Sequence, residues 1–137
     1  MQPNTINDWM NLSRERQSDA SALLRSRRKS IAPVYIVGYA IETALKAYLK
    51  SRNFQFPRSG REGHNLTGLW RRAGFRSSDL KDSTGHKSFF INEWGTHLRY
   101  ETSLDQKQDS ESLIKAAGQL VGWITIQIRR EKRKRGR

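Results

Sequence analysis

Three stretches of this chain place their packing residues every three or four positions, and none keeps up the alternation of a strand. In the first, Asn4 or Thr5 offers a cap, and Trp9, Leu12, Arg16, Ala20, Leu23 and Arg27 follow at helical spacing. Pro33 interrupts that pattern and fits the opening of a second helix, where a missing N–H costs nothing; this helix is expected over 31–51. A third follows Asp109 or Ser110, with Leu113, Ala117, Leu120, Ile124 and Ile128 along one face. The pattern predicts one all-α bundle.

Between the second and third helices the pattern is less regular. "NFQFPRSGREG" (53–63) reads as a loop, "HNLTGLWRRAG" (64–74) as a short helix closed by Gly74, and "SSDLKDS" (77–83) as a helical turn begun by a serine cap. "KSFFINEWGTHLRYE" (87–101) is apolar enough to pack, with a break at Gly95. There is no internal repeat and no linker, so residues 1–128 are expected to form a single domain.

The second helix is apolar nearly all round, yet Glu42, Lys46 and Lys50 fall at i, i+4 and i+8 and line one narrow stripe. An i, i+4 Glu–Lys pair on a surface is worth only a few tenths of a kcal/mol. In a core helix the same pair is a polar seam, with Glu42 partly buried and orienting a cation from another element. Gly38 costs roughly 1 kcal/mol against Ala in mid-helix, which is easiest to justify where a neighbouring backbone comes close.

Charge changes the picture more than composition does. Lys and Arg number 26 against 13 Asp and Glu, a net charge of +13 that attracts polyanions, of which nucleic acid is the commonest inside a cell. The segment "RREKRKRGR" (129–137) concentrates this charge and is expected to be a disordered basic tail; "RSRRKS" (25–30) and "RRAGFR" (71–76) add further clusters. Candidate nucleic-acid contacts are Arg129, Arg130, Lys132, Arg133, Lys134 and Arg135, with Arg27 and Arg28. The chain has no Cys, which excludes disulfides, thiolate metal sites and a Cys nucleophile. Three scattered His residues without a tight acidic cluster point to no metal site, and no Gly-rich phosphate loop points to a nucleotide cofactor. No apolar run is long enough to span a membrane and no secretion-type segment opens the chain, so a cytoplasmic protein is expected.

"YIVGYAIETALKAYL" (35–49), followed by "GHNL" (63–66) and "EWGTHLRY" (93–100), resembles the HEPN domain. The likeness rests on Gly38 to Glu42, Leu45-Lys46-Ala47, His64-Asn65-Leu66, Trp94 and Arg99-Tyr100, and it extends from about Trp9 to Ile128. It implies a HEPN-like bundle of four to five helices, with an irregular segment between the second and last long helices. It also implies a homodimer and a role in toxin–antitoxin, phage-defence or CRISPR systems, where many relatives are metal-independent ribonucleases. An antitoxin or a nucleotidyltransferase-type protein is the partner class that follows.

The signature that the resemblance implies is an Arg, four to six other residues and then a His, set in a cleft between protomers. A His can move the 2′-hydroxyl proton and an Arg can stabilise the phosphorane charge. Arg58 and His64 have that spacing, but in a loop rather than on a late helix. Near the expected place, His97 precedes Arg99, and no His follows. The catalytic candidates are therefore Arg58, His64, His97 and Arg99. The polar seam is expected to join Glu42 and Lys46 to Arg99, with Trp94 or Tyr100 covering the pair. Three functions compete: an RNA-cleaving effector, an RNA-binding module that does not cut, and a dimerising structural subunit of a larger defence assembly.

Overall fold

The computed structural model describes residues 2–57, 60–104 and 109–135. Its helices are α1 (Ile6–Ser26), α2 (Ala32–Ser51), the single turn α3 (Gly60–Gly63), α4 (Leu66–Arg72), α5 (His86–Asn92) and α6 (Ser110–Arg135). Two 3-10 turns, Ser77–Leu80 and Thr96–Tyr100, flank α5, and no strand occurs among the described residues. The chain is an all-α bundle, as the periodicity predicts.

Local chemistry starts α1 and α6 where the sequence places a cap. Thr5 accepts from the Asp8 N–H at 3.0 Å, and the Asp8 carboxylate returns to the N–H groups of Thr5 and Asn4, each at 3.0 Å. Those two backbone bonds, Thr5 first, hold the Asp8 carboxyl below the usual range. Asp109 does the same at α6, accepting from the Ser112 hydroxyl at 2.7 Å and its N–H at 3.1 Å, and is likewise held low. Pro33 lies in the first turn of α2, where no bond is lost.

α2 is the axle of the bundle. Its residues from Ala40 to Leu49 are all buried, and both α1 and α6 pack against it. α1 approaches closely because its contact face is small: Ser13 and Ala20 are fully buried, and the Ser13 hydroxyl donates to the Ala40 carbonyl at 2.7 Å. From α6, Leu113, Ala117, Leu120, Ile124 and Ile128 form the buried face expected of them.

The irregular half is built as read, with two departures: the stretch expected to be a loop forms the single turn α3 at its end, and the next turn has a different starter. Asn65 caps α4 by accepting from the Gly68 N–H at 3.1 Å, and Gly74 closes it at φ 81°. The turn at Ser77–Leu80 is started not by a serine but by Asp79, which accepts from the Arg76 N–H at 2.7 Å. Gly95 separates α5 from the second 3-10 turn.

The expected disordered tail is corrected through Arg135: α6 runs on over residues 129–135. Lys and Arg are good helix formers and suit the negative end of the helix dipole. Glu131, only 8% exposed, also ties this segment to the bundle through Arg52 at 3.4 Å.

Candidate functional site

The site grows from one face of α2. Tyr35, Tyr39, Glu42 and Lys46 follow one another at three- or four-residue spacing, so their side chains form a file along the helix. Glu42 is the centre. Its Oε2 accepts from Lys46 Nζ at 3.0 Å, and its Oε1 lies 2.7 Å from His64 Nδ1. Lys46 has a side chain only 1% exposed and Glu42 only 5%, whereas His64 is 32% exposed. Two charges this deep need one another and further bonds besides, because mutual attraction alone does not offset the desolvation of both. His64 supplies such a bond from the loop ahead of α4, fixed there by the Asn65 cap.

Accepting at Nδ1 would set two acceptors against each other, so this nitrogen carries the proton and donates to the carboxylate. Nε2 is the other ring nitrogen, on a side chain that is partly exposed. Tyr39 packs edge-on against the imidazole, centroids 5.6 Å apart, and shares a 2.7 Å hydroxyl–hydroxyl bond with Tyr35. Burial, then the Tyr35 bond and the Glu42 charge, push the Tyr39 phenol well above its ordinary range, while the Arg99 charge pulls it back. Tyr39 therefore stays a neutral wall. On the far side of Lys46 lies Trp9, its ring centroid 5.3 Å from Nζ.

Trp94 does not cover the Glu42 pair. Its indole fills the gap left by Gly38, where an added Cβ would sit 1.9 Å from Cε2, and its Nε1 donates to the Val34 carbonyl at 3.3 Å. The close approach that justifies Gly38 is thus an indole rather than a backbone. Tyr35 and Tyr39 pack on the same ring, stacked and edge-on respectively.

Arg99 does not fold onto Glu42 either. It is exposed and stands over the ring of Tyr100, 4.9 Å from its centroid, and Tyr100 is itself 79% exposed. The 3-10 turn holds both on the surface, and His64 takes the carboxylate oxygen expected for Arg99. His97 is exposed beside Gly95. Arg58 lies outside the described residues. Sequence reasoning missed Tyr35 and Tyr39, although their i, i+4, i+7 spacing to Glu42 marks one face.

The expected nucleic-acid contacts divide in two. Arg129, Arg130, Lys132, Arg133 and Arg135 are exposed and meet no carboxylate among the described residues, while Lys134 lies 3.6 Å from Glu131. Arg27 is an exposed helix cap, and Arg28 pairs with Glu111 at 2.8 Å. Among the described residues no group of three His, Asp or Glu could hold a metal ion, and no helix is long and apolar enough to cross a membrane.

The family model of the HEPN domain matches residues 6–130. No curated protein and no solved structure matches the chain.

Proposed function

The chain belongs to the HEPN domain family, and from that premise we propose that it is an RNA-directed, homodimeric member of a toxin–antitoxin or defence system. It binds RNA through phosphate contacts, and its Glu42–His64 pair supplies the base for a cleavage that needs no metal. The observation that carries the reading is the basic end of α6: a helix surrounded by exposed Lys and Arg, in a chain of net charge +13. Neutralising phosphates releases counterions, which makes such binding sequence-tolerant and steep in salt.

The chemistry follows from one hydrogen bond. With Glu42 holding Nδ1–H, His64 Nε2 takes the proton of a 2′-hydroxyl as that oxygen attacks the adjacent phosphorus. A 2′,3′-cyclic phosphate forms, the bond to the 5′-oxygen breaks, and the leaving oxygen takes a proton from solvent. Arg99 is the cation nearest in character to a phosphorane stabiliser, its field already felt at Tyr39. An antitoxin or a nucleotidyltransferase-type partner would then restrain or modify the effector.

One observation favours a second reading, a non-catalytic dimerising subunit. Lys46 occupies the other Glu42 oxygen, so the three side chains also satisfy one another as a purely structural knot. Incubation of structured RNA in EDTA with wild type, His64→Ala, His97→Ala and Arg99→Ala separates the two. Cleavage lost in His64→Ala with folding retained supports the effector. RNA retained but uncut by wild type leaves a binding module, and RNA neither bound nor cut favours the structural subunit.

A further inference from the structure

A groove of about 770 Å³ runs between α1 and the outer face of α6. Its floor is α6, where Gly118 and Gly122 lie one turn apart and a Cβ added at either would meet nothing within 4 Å. Its walls carry Arg14 from α1, Lys87 from α5 and Arg129 from α6, beside Ile126, which is 45% exposed. No carboxylate lines it among the described residues. Towards the start of α6, Lys87 and Gln119 also line a second cavity of about 360 Å³, bounded by Lys81, Lys115, His86 and Ser112. The one acid there, Asp82, is engaged by the backbone of α5, accepting from the Ser88 N–H at 2.8 Å. At its other end the groove passes Arg129 into the basic end of α6. From Ser112 to Arg129 the helix rises roughly 26 Å.

We propose that groove and cavity form one continuous track that seats a single strand of RNA along α6, a placement that rests on the RNA-binding reading above. Charge chooses the occupant. The lining offers five Lys or Arg side chains against one acid already in use, which suits a phosphate backbone. A second copy of the chain seated on this groove by a two-fold axis would bring two cationic linings together, with no acid in the groove to offset them. An unpaired strand, unlike a duplex, can turn its bases onto the apolar Ile126 and Trp123 that line the groove. Glycine is unfavourable in mid-helix, and the packing of the fold asks for none at 118 or 122. A bare floor lets sugar and phosphate come up to the helix backbone, while Ile126 offers an apolar rest for a base.

One variant blocks the track without touching its charge, and a second removes charge without blocking it. Gly122→Leu fills the floor, and Arg14→Ala with Lys115→Ala removes two exposed cations from its two halves. Arg133→Ala with Lys134→Ala samples the helix end alone. Anisotropy of a fluorescent oligouridine is followed over a range of salt, with light scattering for mass and thermal melting for fold. Gly122→Leu is expected to melt no lower than wild type and to weaken RNA binding by about ten-fold or more. The Arg14/Lys115 pair is expected to lower the salt slope by about one to two, and it decides the matter should Gly122→Leu not fold. Affinity within about two-fold of wild type in both variants, with loss only in Arg133/Lys134, overturns the track and leaves RNA binding standing. A fall in mass on Gly122→Leu makes the face an interface between copies and overturns it too. A wild type that binds no RNA at low salt removes both the track and the reading beneath it.

Discussion

His64 donates Nδ1–H to Glu42 across 2.7 Å, joining a partly exposed imidazole to a carboxylate buried in the central helix. The same carboxylate holds Lys46 at 3.0 Å. Stability and any base chemistry at His64 therefore depend on one residue.

Removing that residue takes the carboxylate away from a lysine buried in the core. Glu42→Ala is expected to lower the unfolding free energy by about 3–5 kcal/mol, because Lys46 keeps its desolvation and loses its buried counter-charge. Glu42→Gln with Lys46→Met, which retires both charges, is expected to recover most of the loss. Urea unfolding of wild type and the two variants measures this; a Glu42→Ala protein as stable as wild type would show the pair to be dispensable.

The glycines of α2 and α6 are expected to answer one substitution with opposite signs. Gly38→Ala meets the Trp94 indole at 1.9 Å and is expected to cost about 1–3 kcal/mol, despite the better helix propensity of alanine. Trp94→Leu in the same chain is expected to return part of that cost.

Gly118→Ala and Gly122→Ala add a methyl group to open space, so propensity alone acts. Each is expected to stabilise the protein by about 0.5–1 kcal/mol. A thermal melt of each single variant, beside Gly38→Ala, checks the contrast.

Acid is expected to weaken the fold through three aspartates held below the ordinary value of 3.8, namely Asp8, Asp82 and Asp109. Burial pushes Asp82 upward, but the Ser88 N–H, the Ser88 hydroxyl and further backbone donors outweigh it. Each binds fewer protons folded than unfolded between its folded value and 3.8, so stability rises with pH in that window. The contribution is complete above 3.8 and is lost as pH falls through the folded values. Urea midpoints taken from about pH 5 down to about pH 2 are expected to fall less steeply in the Asp8→Asn, Asp82→Asn, Asp109→Asn variant.

Much of this was legible in the sequence, and the failures share a cause. The Thr5 cap, the Asn65 cap and the five buried residues of α6 are local signals, and each appears where the spacing puts it. The depth of the Glu42–Lys46 seam was also readable, since nearly every neighbour on α2 is apolar. Which cation completes the seam was not, because Arg99 and His64 both arrive from distant segments and spacing along the chain does not rank them. The two tyrosines were missed, because nothing in their spacing alone tells an aromatic in the core from one that walls an imidazole. The basic end misled for a different reason: charge density reads as disorder, yet Glu131 docks on Arg52 and lets the helix continue.

That continuation alters what contact with RNA would require. A floppy basic segment loses conformational entropy when a polyanion fixes it, and such binding carries the heat-capacity signature of coupled folding. The six cations from Arg129 to Arg135 ride a helix whose ordering was completed when the bundle formed. Their association would be governed by encounter in a fixed electric field, fast at low ionic strength and slowing as salt rises, with no folding step to wait for.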